Sequence, residues 1–92
     1  MSYVYLIKCG DLPYYKIGIS DSPSERLDAI QKCNPLPLSL LMICGLSSRT
    51  AASQAELQIH LKLKPHNIHG EWFELSREQV EILKCDMAKA SD

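Results

Sequence analysis

The chain has no apolar run near the ~20 residues that a membrane-crossing helix requires, and its longest apolar stretch, Leu38 to Leu46, is broken by Ser39 and Gly45. A spanning helix is therefore not expected. The first ten residues, MSYVYLIKCG, lack a basic leader followed by a long apolar stretch and a small-residue cleavage site, so a cytoplasmic protein is expected. No Cys-x-x-Cys pair occurs. Cys9, Cys33, Cys44 and Cys85 stand 24, 11 and 41 residues apart, which argues against a zinc knuckle or a redox pair and for reduced thiols packed as small hydrophobes. Net charge is also nearly absent, at −1. A uniformly basic nucleic-acid binder is thereby excluded, but the distribution is uneven. Residues 1 to 64 carry seven Lys/Arg against five Asp/Glu, whereas residues 65 to 92 carry three against six, so a phosphate-facing surface belongs in the first two thirds.

What the chain does have is the composition of a folded domain. Hydrophobic residues make up 46% and charged residues 23% of its 92 residues, which suits one compact domain over residues 1 to 92 with a single core. YVYLIK (Tyr3 to Lys8) and YYKIGIS (Tyr14 to Ser20) are rich in aromatic and β-branched side chains and predict two strands. Gly10, Asp11 and Pro13 between them predict an antiparallel hairpin, with Tyr5 and Lys16 near each other across it. Asp21-Ser22-Pro23 predicts a helix start, and that helix carries Arg26 and ends before Pro35. A third strand over Leu38 to Cys44 follows. Ser47 or Ser48 can cap a helix to about Leu63, with Glu56 and His60 on one face. Pro65 to Gly70 reads as a loop, Glu71 to Leu75 as a short strand, and Ser76 with Gln79 as a capping box opening the last helix. The fold class expected is α/β: a small central antiparallel sheet, a hairpin plus third strand, flanked by helices.

Tyr3-Val4-Tyr5-Leu6-Ile7, Lys16-Ile17-Gly18-Ile19, Arg26-Leu27, the helical Glu56 and Gly70-Glu71-Trp72-Phe73 together resemble the small phage-type branch of the GIY-YIG nuclease superfamily. The pattern spans about three quarters of the chain. The resemblance implies a metal-dependent endonuclease that hydrolyses DNA phosphodiester bonds. Tyr5 would be the base or the water-positioning group, Lys16 and Arg26 would hold the phosphate, and Glu56 would bind one Mg²⁺ or Mn²⁺. Specificity would come from a homodimer or a partner subunit.

The residue types suit this chemistry. A guanidinium grips two phosphate oxygens at once, and a single carboxylate suffices for Mg²⁺, which keeps most of its waters. The sequence departs from the family pattern where a second tyrosine is replaced by Lys16, and where a histidine found in some members is Ile30. Three other readings stand beside this one. Tyr5 can be a packing residue of the hairpin. Glu56, His60, His66, His69 and Glu71 can be a zinc site. The domain can also be catalytically silent, binding nucleic acid or a protein partner through the same fold.

Overall fold

The computed structural model describes residues 1–91. Its elements run β1 (Ser2–Cys9), β2 (Tyr14–Ser20), α1 (Pro23–Gln31), β3 (Leu38–Leu46), α2 (Arg49–Lys62), a 3₁₀ turn (Lys64–His66), β4 (Asn67–His69), β5 (Trp72–Glu74) and α3 (Arg77–Ala90). The strands form one sheet in the order β3-β1-β2-β5-β4, antiparallel at every junction. This small α/β domain is compatible with a GIY-YIG-like arrangement, and the expected fold class holds. No helix among the described residues is long and apolar enough to cross a membrane.

The hairpin forms as its residues dictate. Gly10 takes φ +55°, a left-handed conformation that costs glycine nothing, and its N–H donates to the Pro37 carbonyl at 2.8 Å. Alternation along β1 then sends side chains to two faces. Val4 and Leu6 join Ile17, Phe73, Leu75, Val80, Leu83 and Met87 in the main core beneath α2 and α3. Tyr5, Ile7 and Cys9 join Leu38 in a second cluster on the opposite face, covered by Leu27 and Ile30 of α1. β3 lies at one margin of the sheet, with a bulge opposite Leu6 and Ile7.

Two expectations need correction. The segment expected as a loop contains β4, a three-residue strand with every residue exposed, which offers no alternation to read. Cys33 and Cys85 are exposed, while only Cys9 and Cys44 pack inside; none of the four is in a disulfide. The Asp21-Ser22-Pro23 helix start holds, with Ser22 as the N-cap of α1, and Asp21 accepts a hydrogen bond from the Ser2 hydroxyl at 2.5 Å. The two later helices start as expected. Ser48 caps α2 through the Ala51 N–H, and Ser76 and Gln79 close a reciprocal capping box on α3.

Candidate active site

The site lies where β2 runs out of partners. β5 pairs only with Tyr14, Tyr15 and Lys16, so the edge of β2 from Ile17 onward faces no strand. Two groups outside the sheet satisfy it. The Ile17 N–H donates to the Glu71 carbonyl at 3.0 Å, and His60 Nε2 lies 2.8 Å from the Ile17 carbonyl. With that nitrogen as donor, the ring of His60 is fixed by its backbone bond and by an edge-on contact with Phe73, centroids 4.9 Å apart.

Tyr5 pairs across the ladder with Gly18, and both share the α1 face with Lys16. Tyr5 is only 1% exposed and packs as a core residue, with its hydroxyl directed at Gly18. Gly18 makes this possible. A Cβ on Gly18 would lie 2.7 Å from Tyr5 Cζ and 2.8 Å from Glu71 Oε1, and would press on the Tyr5 hydroxyl itself. The phenol and the Glu71 carboxylate thus border the same small space. Gly18→Ala should push both aside, costing ~1–3 kcal/mol of stability by overpacking. If the site acts as proposed below, the same change should lower cleavage about a hundredfold through misplacement. Chemical denaturation beside a plasmid assay checks both; a variant as stable and as active as the parent would remove Gly18 from the site.

Lys16 is 9% exposed, and its ammonium sits 2.5 Å from Glu71 Oε1. The sequence suggested Lys16 as a cation beside Tyr5. In the fold Lys16 faces Ile7 and Trp72 across its strand neighbours, and Glu71 holds its charge. Glu56 stands on α2, four residues before His60, and its Oε2 is buried without a hydrogen-bond partner. Burial foremost, then the Glu71 carboxylate, pushes the Glu56 carboxyl above its ordinary value; His60, Lys16 and Arg49 oppose the rise. Arg26 is on the exposed side of α1, the helix covering the Tyr5 face, and makes no ion pair among the described residues.

The fold therefore gathers Tyr5, Lys16 and Glu56 around Glu71, and no hydrogen bond or ion pair among the described residues ties Arg26 to them. Glu71 and Arg49 are the members that the sequence did not reveal. Glu71 stood in the Gly70-to-Phe73 motif and in the zinc reading but had no role in the nuclease reading, and its ion partner is 55 residues away in the chain. Arg49 lies two helical turns before Glu56; its guanidinium stands 3.8 Å from Asp21, and its charge only opposes the rise at Glu56. The zinc reading fails on geometry: His60 is tied to Ile17, His66 Nε2 is 2.9 Å from the Gln79 amide, and no group of three or more His, Cys, Asp or Glu among the described residues is placed to hold a metal.

The T5orf172 domain model matches residues 2–85. The chain belongs to the T5orf172 domain family. This is a family distinct from GIY-YIG, with a related-looking fold, and the earlier resemblance is corrected accordingly. The short motifs misled because each is only a few residues long and sits on a related-looking fold, which does not fix a family. T5orf172 domains are nuclease-like, DNA-binding domains, which accords with nucleic-acid interaction. No curated protein and no solved structure matches this T5orf172 domain.

Proposed function

We propose that the domain is an endonuclease that hydrolyses DNA phosphodiester bonds with Mg²⁺ or Mn²⁺. The observation carrying this reading is the buried, partnerless Glu56 Oε2 beside a second carboxylate, Glu71. Lys16 already offsets the Glu71 charge, but the buried Glu56 oxygen has no such partner, and a hard carboxylate oxygen suits a hard divalent ion. Glu56 would hold that ion, with Glu71 close by. When bound, the ion would offset the negative charge that gathers on the phosphate oxygens during hydrolysis.

The chain's own residues divide the remaining work. Arg26, on exposed α1, would grip the phosphate by two parallel hydrogen bonds, and Lys16 would bind a phosphate oxygen in exchange for Glu71. The tip of Tyr5 orients the attacking water and takes its proton as the new P–O bond forms, while the phenol's own proton passes to solvent. The opposite P–O bond breaks, and the departing oxygen is protonated from solvent.

Incubation of the purified protein with supercoiled plasmid tests the reading. Nicking is expected with Mg²⁺ or Mn²⁺ and none in excess EDTA. Arg26→Lys should lose about 10²-fold of the rate despite keeping its charge, because an ammonium cannot make the paired contact. Near-normal nicking by that variant would return Arg26 to the solvent-exposed surface. One observation favours a second reading, a binding-only module: the ammonium of Lys16 is already neutralised by Glu71. Binding to plasmid without metal-dependent nicking would select it.

A further inference from the structure

Beside the site, the same sheet face carries a row of rings. Tyr14 and Lys16 alternate on β2, Trp72 and Glu74 on β5, and the ladder sets Tyr14 against Glu74 and Lys16 against Trp72. On the far side of β5, His69 of β4 is the neighbour of Trp72. Tyr14 and Trp72 each rest one side on the second core cluster. Their other sides, with His69, Ile68, Glu74 and Asn34 from the loop after α1, line an open groove of about 540 Å³. Lys16 does not line this space, but it is the ladder partner of Trp72 and so stands next to it on the same sheet face.

We infer that this groove seats an unpaired nucleobase of the strand whose phosphate Lys16 binds. Rings fixed on a rigid sheet and open on one side form a stacking platform, which accepts any base because every base has a π-face. Lys16 and Tyr14 are two residues apart on one strand, roughly 6–7 Å, within the reach of a single nucleotide. Charge sets the direction. Glu74 repels phosphate from the Tyr14 end of the groove, leaving the backbone at Lys16. The Glu74 carboxylate and the Asn34 amide offer an acceptor and a donor to the edge of a base. The Asn34 Oδ1 is engaged by the Leu36 N–H at 3.0 Å, so the amide nitrogen is the group turned to the ligand. A base inside a duplex has its faces covered by its neighbours, so the groove selects single strands, frayed ends or extruded bases.

The inference builds on the phosphate role proposed for Lys16, yet its test does not require cleavage. Trp72 is the only tryptophan, so its fluorescence reports on the groove alone. In EDTA, titration with a single-stranded oligonucleotide should strongly quench Trp72 emission. The duplex of the same sequence, and a strand with abasic sugars throughout, should leave emission nearly unchanged. His69→Ala, at an exposed position, and Tyr14→Leu should each weaken single-strand binding about tenfold while duplex binding stays within about twofold. His69→Ala keeps the test decisive if Tyr14→Leu does not fold. Equal affinity and equal emission with normal and abasic strands would overturn the inference, even if plasmid nicking were intact. Quenching by single strands without nicking would overturn the endonuclease reading and leave the groove standing.

Discussion

Glu56→Gln should abolish metal-dependent nicking, lowering the rate by about 10³-fold, and should at the same time make the protein more stable at neutral pH. The two effects share one cause. In the folded protein the Glu56 carboxyl is held above its ordinary value of 4.5, by burial first and by Glu71 second. Between 4.5 and the raised value, the folded state binds more protons than the unfolded state, so stability falls as pH rises through that window. Above it the whole penalty of a buried, poorly partnered carboxylate is present; below pH 4.5 it is absent. Glutamine carries no charge to desolvate. The melting temperature of Glu56→Gln should therefore exceed that of the parent at neutral pH and match it in acid. A variant that nicks normally, or is less stable than the parent at pH 7, would contradict this account. Added Mg²⁺ should raise the melting temperature of the parent and leave that of the variant unchanged.

Tyr5→Phe should lower nicking by about 10²–10⁴-fold, with DNA affinity retained and stability altered by no more than about 0.5 kcal/mol. The burial of Tyr5 makes this substitution informative. Its ring fills the second core cluster beside Ile7, Cys9 and Leu38, and phenylalanine fills the same volume. Only the hydroxyl that borders Gly18 and Glu71 is lost. Tyr5→Ala would be a poor test, because deleting the ring would cost ~3–5 kcal/mol and confuse unfolding with lost chemistry. Unchanged cutting by Tyr5→Phe across pH would make Tyr5 a packing residue and nothing more.

Much of this architecture was legible in the residues because local rules agreed with one another. Gly10 between two β-rich runs, Pro23 at a helix start, Pro35 after a helix end and Ser76 paired with Gln79 each specify an element boundary, and the fold keeps all of them. β4 escaped because its existence depends on β5 as a partner and not on any pattern in Asn67-Ile68-His69. The site was half legible for a related reason. Tyr5, Lys16 and Glu56 stand out by residue type and position, but Glu71 gains its place only when a turn folds back on β2. Arg49 enters only through the charge it adds near Glu56. The family could not be read from the motifs, since the architecture that produces them is shared more widely than the family is.

The short reach of β5 sets a tolerance on chain length. Glu71 meets β2 twice, with its carbonyl on the Ile17 N–H and its carboxylate on Lys16, directly after the left-handed Gly70 and directly before Trp72. Side chains in this register change face with every residue. One residue inserted between Gly70 and Trp72 would leave the core strands and their ladder in place, yet turn the carboxylate away from Lys16. Substitution scans would pass over such a defect. In this turn, the number of residues carries as much information as their identity.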